Sequence, residues 1–178
     1  MKKTLLVSLF ILLTSLAMGQ AGSLIITEFM ASNSKTITDA DGNYSDWMEI
    51  FNPTSGDVSL SGCYLTDDAD NFIKWAFPDS ASIPAMGYLI IFASGNADGV
   101  NEYIDSKGHI RTSFKLSADG ENIALIDTDG TTVISAHWDF PLQGSDVSYG
   151  KGSNGINGFM ITSTPGAANG IATTNLEY

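Results

Sequence analysis

The sequence predicts an all-β domain, either a sandwich or a barrel, and three observations support this. Apolar runs rich in β-branched residues recur every 8 to 15 residues with Gly, Pro or Asp between them, which is the spacing of short strands joined by turns. No window beyond the first 20 residues has the period of an amphipathic helix. The chain of 178 residues is 43% hydrophobic and 16% charged and contains 18 glycines. This composition indicates one turn-rich folded domain rather than a disordered chain.

The first 21 residues are predicted to be a secretory signal peptide. Lys2 and Lys3 form a positive start, residues 4–17 are apolar, and small residues lie near position 19, where a signal peptidase requires them. The apolar run is short for a membrane anchor, and no cysteine follows it for lipoprotein attachment. We therefore expect a secreted, periplasmic or cell-surface protein without a transmembrane anchor in the mature chain.

The charge balance narrows the classes of partner. Beyond residue 20 the chain has 6 basic and 20 acidic residues, a formal charge of −14. Such a surface repels phosphate backbones and anionic lipid headgroups, so we expect no nucleic-acid partner. The acidity either keeps the domain soluble or attracts cations such as calcium.

Two strands carry acids in apolar surroundings. Residues 23–30 form a nearly continuous apolar run that contains Glu28, which predicts a strand covered on both faces. Residues 46–51 form a second strand, which Pro53 ends because proline donates no hydrogen bond to a ladder. A carboxylate in such a strand needs hydrogen bonds or a cation. We expect Glu28 to accept from backbone donors near the end of its strand, and Glu49 to make local hydrogen bonds.

The remaining strands follow the same alternation. Residues 88–93 are the most hydrophobic run and are expected to be central, while residues 96–109 are the least patterned and predict a long loop. Asp129-Gly130 between two apolar runs is a strong hairpin signal. We expect one domain over residues 22–169, followed by a short C-terminal tail over 170–178. The other predicted strands are 58–60, 64–66, 72–77, 110–116, 122–127, 131–135, 147–149 and 159–161.

Eight segments in order resemble the lamin-tail domain, which is an immunoglobulin-like β-sandwich. The opening strand matches at residues 26–33 and the family's characteristic strand at 46–53. The other similar segments are 58–68, 74–78, 83–89, 114–121, 146–150 and 164–169. The resemblance is closest to exported bacterial members and implies a non-catalytic domain used in adhesion or in tethering at the cell envelope. It implies no catalytic residue and no cofactor.

One acidic loop is a candidate calcium site. Asp39, Asp41 and Asn43 place oxygen ligands at alternate positions, and calcium takes six to eight such oxygens. The spacing departs from an EF-hand, because Gly42 stands at the fourth place rather than the sixth. The alternative is an ordinary solvated loop that bonds to its own backbone.

Other residue types allow further interpretations. Trp47, Trp75 and Trp138 are candidates for a carbohydrate-stacking surface, although their strand contexts favour a core role for the first two. Cys63, the single cysteine, reads as a buried inert thiol. No phosphate loop or nucleophile elbow is present, and nothing near the two histidines, His109 and His137, has metal-ligand spacing.

The sequence favours an exported interaction domain used in adhesion, scaffolding or tethering, with a protein or cell-surface partner. The first alternative is a calcium- or carbohydrate-binding module, which the acidic loops and tryptophans suggest. The second is a small secreted hydrolase. Only the predicted compartment and the acid pair Glu28 and Glu49 support it.

Overall fold

The computed structural model describes residues 21–95, 104–105 and 108–175, and the signal-peptide prediction lies almost wholly outside this range. One 3₁₀ turn, Ala21–Ser23, precedes twelve strands in the described part of the chain. The strands are β1 Ile25–Met30, β2 Asp46–Phe51, β3 Val58–Ser59, β4 Tyr64–Thr66, β5 Trp75–Ala76, β6 Ser82–Ile83, β7 Tyr88–Ala93, β8 Ile110–Arg111, β9 Glu121–Ile126, β10 Val133–Phe140, β11 Ser148–Lys151 and β12 Asn157–Met160.

The strands form an immunoglobulin-like β-sandwich, as the sequence predicts. A six-stranded sheet runs in the order β12-β11-β1-β2-β7-β8, and a four-stranded sheet runs in the order β10-β9-β4-β5. Strands β3 and β6 form a separate pair. The main core lies between the sheets and includes Phe29, Met48 and Ile50 from one sheet and Leu65 and Leu125 from the other.

Two expectations about strand position have different outcomes. The predicted hairpin around Gly130 is confirmed, because β9 and β10 pair antiparallel on either side of it. The strand expected to be central, β7, lies next to the edge strand β8. Because β8 has only two residues and, within β7, pairs with Ile91 and Phe92 alone, the first half of β7 is half-exposed. The central positions belong to β1 and β2.

Strand β2 is covered on both faces, which explains its mixed sequence. Met48 and Ile50 face the main core. Trp47 is also fully buried, but it packs with Met30 and Phe92 in a second, smaller cluster. Because side chains alternate along a strand, Trp47 and Glu49 lie on the outer face of the six-stranded sheet. The predicted core role of Trp47 is therefore confirmed, on the face opposite the main core.

A bulge in β1 lies where the six-stranded sheet contacts β10, an edge strand of the other sheet. The pairing of β1 with β2 shifts register between Ile26 and Glu28, at Thr27. The backbone N–H of Ile26 donates to the Ser135 hydroxyl at 3.0 Å, and Nε2 of His137 lies 3.0 Å from the Ile26 carbonyl oxygen. Since a carbonyl oxygen only accepts hydrogen bonds, Nε2 of His137 carries the proton. Burial lowers the pKa of His137 below its usual 6.5.

The C-terminal segment closes the outer face and one edge of the six-stranded sheet. Asn169 Nδ2 donates to the carbonyl oxygens of Thr27 at 2.8 Å and Lys151 at 3.0 Å. Beyond it, Phe159 and Thr173 exchange two backbone hydrogen bonds of 2.8 and 2.9 Å. Residues of the predicted tail therefore pair with β12, while the domain boundary at residue 169 stays a prediction.

Replacement of Gly150 by alanine is expected to destabilise the domain by about 3 kcal/mol or more, because an added methyl has no room. A Cβ at this position would lie 2.9 Å from Glu28 Cα and closer still to the Thr27 carbonyl oxygen, and both are backbone atoms that cannot turn away. Urea denaturation measures the loss. Gly22→Ala is the control, because its Cβ would meet nothing within 4 Å, and equal stability of the two variants would contradict the prediction.

Candidate functional site

Two carboxylates are buried side by side beneath residues 164–169, the strap that closes this face of the sheet. Glu28 and Glu49 are cross-strand partners in the β1–β2 ladder, and both are 0% exposed. Glu49 accepts hydrogen bonds from the Thr27 hydroxyl and from the Gly166 N–H, each at 2.6 Å. These contacts hold Glu49 between the bulge of β1 and the strap.

Glu28 is bound mainly by hydroxyl groups rather than by backbone donors near its own strand end. The Ser148 hydroxyl donates to it at 2.5 Å and the Thr164 hydroxyl at 2.9 Å. The one backbone donor, the Thr164 N–H, lies 3.1 Å from both carboxylate oxygens. Backbone donors are expected for Glu28, but they are only part of its hydrogen-bond donors. The backbone donor comes from the strap, which is distant in sequence and crosses the outer face of the six-stranded sheet.

Burial changes the acidity of this pair. The pKa of Glu49 is raised to about 7. Removal from water is the main cause and the neighbouring charge of Glu28 adds to the rise, while the hydrogen bonds from Thr27 and Gly166 partly offset it. Burial also raises the pKa of Glu28. Neither carboxylate has exposed surface through which a substrate could reach it, so this pair does not form a hydrolase site in the folded domain.

The predicted calcium loop folds around Asp39, which is 1% exposed. Asp39 Oδ1 accepts the backbone N–H groups of Asp41 at 3.0 Å and Asn43 at 2.9 Å. Gly42 permits the tight turn through its φ of 84°. The local bonding matches the solvated-loop alternative in its backbone contacts, but Asp39 itself is buried.

A guanidinium group lies where the loop's carboxylates converge. Nη2 of Arg111, from β8, is 2.6 Å from Asp41 Oδ2, 3.5 Å from Asp105 Oδ2 and 3.8 Å from Asp39 Oδ2. Arg111 is 8% exposed, so the ion pairs with Asp39 and Asp105 are shielded from water. The loop's acids thus have a protein cation among them, which the sequence pattern did not reveal.

Calcium binding by Asp39, Asp41 and Asn43 stays a prediction. A calcium ion at this point would meet the positive charge of Arg111 and would have to displace it. Within the described ranges, the structure contains no group of three or more His, Cys, Asp or Glu side chains that could hold a metal ion.

Replacement of Arg111 by glutamine is expected to destabilise the domain by about 3–5 kcal/mol, because it leaves the side chains of Asp39 and Asp105, 2% and 1% exposed, buried without the guanidinium. Urea denaturation measures this loss. Lys115→Gln removes the same charge from an exposed side chain and is expected to change stability by less than about 1 kcal/mol. Added calcium should raise the stability of Arg111→Gln if the loop can bind the ion. An Arg111 variant as stable as the Lys115 variant would contradict the prediction.

The three tryptophans differ in solvent exposure as their strand contexts predict. Trp47 and Trp75 are 0% and 3% exposed. Trp138 is 42% exposed, and its ring stacks on Phe72 with centroids 6.1 Å apart. Ile73, next in sequence to Phe72, is 59% exposed. Trp138 thus leaves an aromatic surface open to solvent.

The remaining reactive residues are occupied or inaccessible. Cys63 is buried and free, and burial raises the pKa of its thiol to about 11, as expected of an inert thiol. His109 Nδ1 lies 3.0 Å from Asp105 Oδ2.

No described helix has the length and hydrophobicity to cross a membrane.

Comparison with known proteins agrees with this architecture. The family model of the lamin tail domain matches residues 18–139, more than half of the chain. No curated protein matches the chain. Lamin tail domains are a non-catalytic family of immunoglobulin-like interaction domains. The chain belongs to the lamin tail domain family.

Proposed function

We propose that this chain is an exported, non-catalytic interaction domain that serves in adhesion, scaffolding or tethering at the cell envelope. Family membership carries the proposal, because lamin tail domains are interaction domains. The positive start and apolar run of residues 1–21 support export. The formal charge of −14 beyond residue 20 favours a protein or cell-surface partner over nucleic acid.

Two surfaces support an interaction role. The exposed ring of Trp138 beside Phe72 and Ile73 is the kind of amphipathic aromatic surface that anchors interfaces. A cleft of about 560 Å³ beside Arg111 is lined by Asp39, Asp41, Asp46 and Lys115. Its polar side chains of both charges support the alternative function, a calcium- or carbohydrate-binding module, in its carbohydrate-binding form. A hydrolase is not favoured, since Glu28 and Glu49 are fully buried.

Processing and fractionation test the exported location. The full chain with a C-terminal tag is expected to lose its first 21 residues or so and to appear in the periplasm, on the cell surface or in the medium. Replacement of Lys2 and Lys3 by glutamate removes the positive start and should retain the full-length protein inside the cell. Uncleaved wild-type protein in the cytoplasm would reject this location.

Binding of the purified domain to isolated envelopes tests the interaction role. Trp138→Ala is expected to weaken binding if the aromatic surface is used. Ile171→Ala is the matched control, because it removes an exposed apolar side chain (77%) elsewhere on the surface. Failure of the wild-type domain to bind envelopes from the producing cell would reject the tethering role.

A further inference from the structure

We propose that an aromatic surface with an acidic rim, on the outer face of the four-stranded sheet, binds a cationic segment of a partner protein. The proposal rests on the interaction role proposed above and names the chemistry of the partner. We call this area the Trp138 surface. It has an apolar centre and an acidic rim, formed respectively by Phe72, Ile73 and Trp138 and by Asp70, Asp129 and Asp139.

The loop between β4 and β5 supplies half of the apolar centre. At the end of β4, the Thr66 hydroxyl donates to the carbonyl oxygens of Asp68 at 2.9 Å and Asn71 at 2.7 Å, so the loop turns back on itself beside the sheet. The ring of Phe72, the next residue, stacks on Trp138 of β10 at an interplanar angle of 20°. Because Trp138 stays exposed despite this stack, its ring still offers a surface to a partner.

A bulge in β10 exposes Trp138 and Asp139 together. Side chains alternate along a regular strand, so one of two consecutive residues would point into the core. The pairing of β10 with β9 shifts register between His137 and Phe140, and Asp139 takes a left-handed backbone conformation with a φ of 52°. Its N–H donates to Asn122 Oδ1 at 2.9 Å, which supports this conformation. Bulges re-aim side chains, and this one places a carboxylate next to an exposed aromatic ring.

The tip of the β9–β10 hairpin supplies a second carboxylate. A Cβ added to Gly130 would lie 3.0 Å from Ile73 Cγ2, so Ile73 rests against this tip. Asp129, which precedes Gly130, is exposed. Hydrogen bonds from Thr132 and Thr131 lower the pKa of Asp129 to about 2, so it stays ionised at neutral pH. An exposed apolar side chain and a negative charge are therefore neighbours here as well.

The third carboxylate comes from the loop between β4 and β5, whose own cation is already engaged. Asp70 is exposed and lies two residues before the stacked phenylalanine. Residues 67–74 contain one basic residue, Lys74, and its Nζ lies 2.5 Å from Asp67 Oδ1. The rim thus carries negative charge that a partner can neutralise.

Charge complementarity selects the partner. The face of an indole ring attracts lysine and arginine side chains, and carboxylates beside the ring add to that attraction. A second copy of this chain would bring the same acids, and an anionic lipid surface would be repelled. A protein segment that carries arginine or lysine beside apolar residues matches both the centre and the rim, because tryptophan and arginine are the side chains that contribute most at protein interfaces.

NMR titration of the purified protein with three short peptides tests the proposal. The peptides share their apolar residues and carry arginine, uncharged citrulline or glutamate at the other positions. We expect the arginine peptide to shift the Trp138 indole N–H and the backbone amides of Ile73 and Asp129. It should bind about tenfold more tightly than the citrulline peptide, and added salt should weaken its binding.

Substitutions assign the binding to this surface. Trp138→Ala is expected to weaken binding of the arginine peptide about three- to tenfold. Asp139→Asn is expected to weaken it about two- to fivefold, and asparagine tolerates the left-handed conformation. The matched controls, Ile171→Ala and Asp57→Asn, remove an exposed apolar side chain and an exposed carboxylate from other segments and should leave the affinity unchanged.

Three results with the peptides would each overturn the proposal: failure of the arginine peptide to bind, equal binding of the arginine and citrulline peptides, or unchanged binding to Trp138→Ala. A neutral oligosaccharide that shifts the indole N–H in place of the arginine peptide would also overturn it, in favour of the carbohydrate-binding alternative. Envelope binding is measured separately, so loss of the cationic partner with envelope binding intact would leave the tethering function standing.

Discussion

The free energy of unfolding is expected to fall by about 3 kcal/mol through Glu49 alone as the pH rises from 4.5 to above 7. The pKa of Glu49 rises from the usual 4.5 to about 7 in the folded domain, chiefly because the side chain is buried. Between these two values the folded state keeps a proton that the unfolded state releases. The stabilisation is therefore complete below pH 4.5 and is lost as the pH passes through about 7.

Glu49→Gln is expected to abolish this contribution. Glutamine has nearly the same shape as the protonated acid, its carbonyl can accept the Gly166 N–H, and its amide can donate to the Thr27 hydroxyl. At pH 4 the variant should match the wild type, and at pH 8 it should be more stable by about 3 kcal/mol. Urea denaturation at the two pH values measures the difference.

The matched control is Asp119→Asn, which removes one acid from an exposed turn and should leave the pH dependence unchanged. Asp46 acts in the same direction as Glu49, because burial raises its pKa to about 6, and it remains in both variants. A pH profile of Glu49→Gln parallel to that of the wild type would show that the buried pair does not take up the proton.

The fold could be predicted because strand periodicity is a local signal. Trp47, Met48, Glu49 and Ile50 alternate along β2, and the sequence shows that both faces of such a strand must be covered. It does not show what covers them. Trp47 is covered within a small cluster that includes Ile37 from the loop that precedes β2, whereas Glu49 is covered by a segment more than a hundred residues away.

The partners of the polar groups could not be predicted, because they are distant in sequence. Thr164 lies 136 residues from Glu28, and Arg111 lies 70 residues from Asp41. Arg111 follows directly after the least patterned stretch of the chain, and nothing in its neighbours marks it as the partner of an acidic loop. The acids of the loop were visible in the sequence, but the cation that neutralises them was not.

A chain that ends at residue 163 is expected to lose most of its stability. It lacks the Thr164 and Gly166 donors to the buried carboxylates and the Asn169 bridge to the β1 bulge. Hydrogen bonds to charged groups contribute about 1.5–3 kcal/mol each, so losing three of them removes about 5 kcal/mol or more. That loss is comparable to the whole stability of a typical domain. Circular dichroism and urea denaturation measure it.

A chain that ends at residue 169 is the control that assigns the loss to the strap rather than to shortening. It keeps Thr164, Gly166 and Asn169. It loses the pairing of Thr173 with β12, the hydrogen bond from the Ser153 N–H to the Gly170 carbonyl, and the contacts of Asn154 with Ala172, none of which involves the buried carboxylates, so it should be clearly more stable than the 163-residue chain. The two predictions are linked, because a domain without the strap exposes Glu28 and Glu49 to water and their pKa values then return towards 4.5. If the shorter chain folds, its stability should fall less between pH 4.5 and 8 than that of the full domain, because the Glu49 contribution is lost and that of Asp46 remains. A 163-residue chain with both the stability and the pH profile of the full domain would show that the strap does not seal the carboxylates.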